Sequence, residues 1–212
     1  MLASFATLMC TGAIGAPSPP QAASEQAVVM RLRAHADINR GRQIFDTCAA
    51  CHQSNGAGAV DGSVPAIAGQ RFGFLVHELV SFRHEQRQDE RMQHFTDQHH
   101  LKDAQAIADV AAYISQLPET RSSNHGSGEA LQAGALHYAN TCAACHGAGG
   151  DGNAQHDVPR IAGQQYEYLL HALLNPADEV RPDFWSVHAR VLNGLQRSDL
   201  IAIADYVSRL NP

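Results

Sequence analysis

The 212-residue chain reads as all-α, built from two small domains in tandem. Three observations predict this. A shift of 94 residues carries VPAIAGQRFGFLVHEL (64–79) onto VPRIAGQQYEYLLHAL (158–173) without a gap, and TCAACH (47–52) onto TCAACH (141–146), so the two halves are copies. Apolar residues recur at three- and four-residue spacing in ADVAAYISQL (108–117) and LIAIADYVSRL (200–210), the period of a helix with one buried face. No stretch alternates apolar and polar residues over the length of a strand.

The elements follow in order. The opening MLASFATLMCTGAIGA carries no charge and runs into the Pro-rich PSPPQAAS, the layout of a secretory apolar region and its cleavage zone, although the usual basic start is missing. The run is too short to span a bilayer. Residues 1–24 are therefore assigned to an export segment, with Cys10 inside it, and the mature chain to the periplasm. No transmembrane segment is expected in the mature chain; peripheral membrane association is compatible with export. Domain one takes residues 25–117. The stretch PETRSSNHGSG has linker composition and fills 118–128, and domain two takes 129–212. Helical periodicity marks Gln70–Phe82 and Gln164–Leu174, with Val110, Ile114 and Leu117, then Ile203, Val207 and Leu210, on the apolar faces of the last helix of each copy. SNGAGAVDGSVP and GAGGDGNAQHDVP are loops. A net charge of −6, with acidic and basic residues interspersed, offers no basic surface for nucleic acid.

Apart from Cys10, the cysteines are Cys48, Cys51, Cys142 and Cys145, all within the repeated hexapeptide. Each Cys-Ala-Ala-Cys-His could be a redox dithiol, half of a zinc site or a haem attachment point. Zinc needs four ligands, and each copy brings two thiols plus scattered histidines. A thioredoxin-like dithiol needs a βαβ pattern that neither half shows. On a helical turn, cysteines three apart share a face and can each form a thioether to one porphyrin, with the next histidine beneath the ring to ligate the iron. Units of about 90 residues have thin cores, and a large flat apolar cofactor supplies buried surface. Two covalently bound haem c groups are expected, held by Cys48, Cys51, Cys142 and Cys145, with His52 and His146 as iron ligands.

With these motifs, the V-P-x-I-A-G-Q segments and the last helices bearing Tyr113 and Tyr206, the chain resembles the cytochrome c4 family, two-haem proteins made of two class I cytochrome c domains. The resemblance implies electron transfer between redox proteins of a respiratory chain (an oxidase, reductase or dehydrogenase), with no catalytic residues. It also implies that the carbonyls of Pro65 and Pro159 accept hydrogen bonds from the proximal imidazoles. The family's distal methionine lies seven residues before the leucine that opens the last helix. Here that count leads from Leu101 to His94 and from Leu195 to His188, themselves 94 apart. No methionine follows Cys142, so the second iron is expected to be bis-histidine. For the first, His94 is expected by repeat symmetry, with Met92 as the alternative. His77 and His171 match across the repeat but read as solvent-facing. Arg87 and Arg181 align with a propionate-side arginine, and Phe72, Phe74, Tyr166, Tyr168 and Trp185 read as packing at the haem edge. The competing function is a haem enzyme or gas-binding sensor with an open or displaceable sixth iron position.

Overall fold

The structure, a computed structural model, describes residues 21–174, 188 and 190–211. Arg181, Trp185 and Cys10 lie outside them. Among the described residues all regular elements are helical, apart from an isolated bridge between Asn153 and Val158. Domain one holds α1 (Gln21–Leu32), a 3-10 turn (Arg33–His35), α2 (Ile38–His52), α3 (Phe72–Arg83), α4 (Glu90–Thr96) and α5 (Ala104–Gln116). Domain two holds α6 (Leu131–Thr141), α7 (Ala143–His146), α8 (Tyr166–Leu174) and α9 (Arg197–Ser208). Local chemistry starts them. Asp37, Asp89 and Asp103 cap α2, α4 and α5 by accepting hydrogen bonds from exposed amides of the first turn. Gln196 and Asp199 form a reciprocal capping box at α9.

Each domain turns on one helix crossing. A Cβ at Gly41 of α2 would lie 2.2 Å from the Asp109 carbonyl oxygen of α5, and a Cβ at Gly134 of α6 would lie 2.1 Å from that of Ala202 in α9. Only glycine lets these backbones approach so closely. One turn further on an aromatic pair closes each crossing, Phe45 with Tyr113 at 5.4 Å and Tyr138 with Tyr206 at 5.5 Å. The copies then diverge. Cys48 follows Gly41 by seven residues, whereas Cys142 follows Gly134 by eight. Helix α2 runs unbroken through its hexapeptide, but domain two absorbs the extra residue by breaking the helix at Cys142 between α6 and α7.

Domain one has a further layer. Helix α1 packs on α3 and α5, burying Ala22 and Val29 against a core that includes Phe45, Leu75, Val76, Ile107 and Val110. Its Glu25 pairs with Arg83 and lies 2.8 Å from His84 Nε2. The helix takes in Gln21–Ser24, which the sequence reading places in the export segment. Burial of Ala22 and the Glu25 pairing explain why this end is folded against the domain. In domain two the corresponding buried set is Tyr138, Leu169, Ile203, Ala204 and Val207.

The polar linker is tied down along its length. Ser122 donates its amide to the Gly163 carbonyl (2.9 Å) and its hydroxyl to Gln165 Oε1 (2.8 Å). Asn124 Nδ2 donates to the Val60 carbonyl at 2.8 Å, and Glu119 pairs with Arg160 at 3.1 Å. Its Ser, Asn and Glu side chains thus bond to both domains, which their composition alone does not indicate.

Candidate haem sites

In domain one the hexapeptide ends the helix α2 that the glycine crossing fixes in place, whereas in domain two it begins at the end of the crossing helix α6 and continues, past the break at Cys142, on α7. Cys48 and Cys142 are half-buried and Cys51 and Cys145 exposed; none is in a disulfide. Burial pushes the Cys48 and Cys142 thiols up to about 11. A redox-active dithiol needs the opposite shift.

The histidines that follow are buried, and burial lowers the pKa of both, favouring the neutral imidazole that binds metal. Each is oriented by a carbonyl. His52 Nδ1 lies 3.1 Å from the Pro65 oxygen and His146 Nδ1 lies 3.0 Å from that of Pro159. A neutral imidazole donating from Nδ1 presents Nε2 as its lone-pair nitrogen. The loops hold this arrangement: Gly58 N donates to His52 O (3.0 Å) and Gly152 N to His146 O (2.8 Å), both glycines having positive φ. A side chain at either would collide with the Pro65 or Pro159 carbonyl at about 2.5 Å.

On the opposite side the two domains differ. The His188 ring lies near that of His146, with centroids 6.2 Å apart and the ring planes tilted by 53°. Two metal–nitrogen bonds of about 2.0–2.1 Å, with roughly an ångström from each nitrogen to its ring centre, give a separation of about 6 Å, the spacing that one iron held between the two imidazoles would set. In domain one, α4 carries both candidates. Met92 is half-buried and packs against the domain-one core, as Cys48, Ala49 and Ile67 also do. His94 is exposed, its ring against Phe95 at 5.0 Å and His100 at 4.5 Å. Helical residues two apart point about 200° from each other, so residues 92 and 94 cannot both face inward. His94 thus lies on the exposed side of α4 and Met92 on the side that packs on the core.

Arg160 supplies a second test of fit. It is buried next to Pro159, with Nη1 held by Glu119 and Nη2 by the Ala162 carbonyl at 3.3 Å, while its Nε has no partner. A buried donor without an acceptor is costly. The propionate carboxylates of a haem are acceptors of the kind this donor lacks. Arg87, by contrast, is engaged with Glu78, with the Tyr168 hydroxyl of domain two at 3.1 Å and with the Phe82 ring. His77 is half-buried and His171 exposed. Nothing in the sequence reading singled out Arg160, although its position immediately after the V-P pair was visible.

The sequence model of the cytochrome c family matches residues 38–118 and again 131–211. The chain belongs to the cytochrome c family. Its two domains with Cys-x-x-Cys-His motifs bind two covalent haem c groups, in the manner of a two-haem electron-transfer cytochrome. It is similar to cytochrome c4 of Azotobacter vinelandii, 25% identical over 204 residues that cover 84% of this chain and 92% of that protein. It is also similar to the thiosulfate dehydrogenase electron acceptor of Thiomonas intermedia, 39% identical over 72 residues. That match covers 34% of this chain and about a third (32%) of the relative. Among solved structures, reduced recombinant cytochrome c4 from Pseudomonas stutzeri has the same fold. It superposes with a TM-score of 0.73 at 21% identity, covering 83% of this chain and all of that one.

Proposed function

We propose that this chain is a periplasmic electron carrier, or the electron-transfer subunit of a larger redox assembly, with axial pairs His52–Met92 and His146–His188. The observation that carries the reading is the proximity of the His146 and His188 rings, with centroids 6.2 Å apart. A protein ligand on each side of the iron leaves no open position for a substrate or gas, which the enzyme and sensor readings require. In domain one the inward placement of Met92 and the outward placement of His94 favour the thioether. When bound, each haem supplies one iron that is reversibly oxidised and reduced. The chain sets the order of potentials: imidazole donates more strongly to ferric iron than thioether does, so the His146–His188 site lies below the His52–Met92 site. With both haems bound in this way, electron flow from domain two to domain one would be downhill.

The similarity to a thiosulfate dehydrogenase electron acceptor favours a dehydrogenase of an inorganic sulfur compound as donor. The oxidised protein, mixed with thiosulfate alone, is expected to stay oxidised. With thiosulfate and a thiosulfate dehydrogenase it is expected to be reduced, the α bands sharp and unchanged by carbon monoxide. Reduction by thiosulfate alone would make the chain an enzyme, and rapid carbon monoxide binding by the untreated protein would restore the sensor reading.

A further inference from the structure

The proximal side of each haem site is bonded to the opposite domain by side chains in both directions: Gln165 Nε2 donates to the Ala57 carbonyl at 3.0 Å and Arg71 Nε to the Asp151 carbonyl at 2.8 Å, and beside them lies a matched glutamine pair. Gln164 of domain two, buried, accepts from the Ala66 amide at 2.9 Å and donates from Nε2 to the Ala66 carbonyl at 2.9 Å. Gln70 of domain one, also buried, accepts from the Arg160 amide at 2.8 Å and donates to the Arg160 carbonyl at 2.9 Å. Positions 70 and 164, and 66 and 160, are each 94 apart, so the clasp is one contact made twice about the pseudo-twofold relation of the domains. Each Oε1 also accepts from the next amide in its own chain, Arg71 N or Gln165 N, at 2.9 Å, which fixes the side chain.

The Ala66 amide belongs to the same peptide group as the Pro65 carbonyl, and the Arg160 amide to that of the Pro159 carbonyl. The hydrogen bonds therefore form two continuous chains. One runs from His52 Nδ1–H to the Pro65 carbonyl and through that peptide to Gln164; the other runs from His146 Nδ1–H to the Pro159 carbonyl and on to Gln70. An acceptor on the N–H of a peptide polarises it and strengthens its C=O as an acceptor, a cooperative gain of about 10–30% per bond. A stronger acceptor at Nδ1 makes the imidazole a better donor to the iron and favours the ferric state.

We propose that Gln164 and Gln70 are positioning residues that tune the reduction potential across the domain boundary, Gln164 that of the domain-one haem and Gln70 that of the domain-two haem. The inference rests on His52 and His146 being proximal ligands. The device makes each potential depend on the docking of the other domain, so that separating the halves relaxes both.

The test is potentiometric titration of the full two-haem protein, with both haems verified by mass, as wild type and as Gln164→Leu, Gln70→Leu, Gln164→Glu and Gln70→Glu. Gln164→Leu is expected to raise the domain-one potential and leave the domain-two potential nearly unchanged; Gln70→Leu is expected to do the reverse. The glutamate variants retain the acceptor for the amide, so they are expected to keep the low potential that the leucine variants lose, even where losing the Nε2 donor lowers the melting temperature. A shift confined to the haem of the mutated domain, an equal shift of both, or no shift in a folded variant would overturn the proposal. If a leucine variant does not fold, the glutamate variant decides: a raised opposite-domain potential despite the retained acceptor contradicts the chain of bonds. Loss of low-spin spectra in the wild type would instead sink the ligand assignment itself, a distinguishable failure.

Discussion

Domain one and domain two carry the same hexapeptide, the same Pro-carbonyl contact to its histidine and the same glycine crossing, yet they differ in how the rest of the site is built. Domain one backs its crossing with α1 and a broad core, keeps α2 continuous, and turns Met92 inward. Domain two has a smaller set of buried residues among those described, breaks its helix at Cys142, and places His188 near His146. What the duplication preserved is the proximal side and the face between the domains. What differs is the surroundings of residues 92–94 and of His188, and on the proposed ligands the chemistry of the iron differs with them.

The largest expected effect tests the difference in cores. Cys142→Ala with Cys145→Ala should remove one haem by mass and unfold domain two, because the cofactor is a major part of what α6, α8 and α9 pack around. Cys48→Ala with Cys51→Ala should also remove one haem but leave much of the domain-one helical signal in circular dichroism, since α1, α3 and α5 retain their own contacts. Equal loss of structure in both would mean that α1 adds little.

Next comes the feature the domains share. Gly41→Ala and Gly134→Ala each force a methyl group into a backbone carbonyl and are expected to cost about 1–3 kcal/mol by thermal or denaturant unfolding. A neutral result at either position would show that its crossing opens freely.

Much of this was legible in the sequence, and for identifiable reasons. The offset of 94 survives wherever spacing is dictated by contact with one rigid object, so the hexapeptides, Pro65 with Pro159 and Gln70 with Gln164 align without a gap. Helical period located α5 and α9 because one face of each is buried, at Val110, Ile114, Ile203 and Val207. Where the copies are held by different partners, symmetry carries less information. Counting back from the last helix paired His94 with His188, but the count carries no information about which face of α4 each residue takes. The shift from seven to eight residues between glycine and cysteine was also in plain view, but its meaning requires the crossing to be known. The clasp could not be read at all, because a glutamine bonding a backbone leaves no pattern beyond its own repetition.

Two smaller effects sharpen the contrast. The Tyr138 hydroxyl donates to the Gly147 carbonyl at 2.6 Å, whereas domain one has Phe45 at the matching place. Tyr138→Phe should therefore destabilise domain two by about 1 kcal/mol without altering either spectrum. Smaller still is the acid behaviour of the turn after α4. Hydrogen bonds from the His100 side chain and then its amide hold the Asp97 carboxyl down to about 2, against 3.8 ordinarily. A lowered carboxyl favours the folded state above the ordinary value, and that contribution disappears as pH falls from about 4 toward 2. Asp97→Asn should remove this component of acid unfolding in domain one only, as followed by circular dichroism.

The axial ligands are the centre of the account, and the ferric near-infrared spectrum reads them most directly. Methionine-ligated ferric haem has a sulfur-to-iron charge-transfer band there, and bis-histidine haem does not. The fully oxidised wild type should show that band at the intensity of one haem for two haems present, unchanged in His94→Ala and abolished in Met92→His. Absence of the band in the wild type, or its survival in Met92→His, would contradict the assignment.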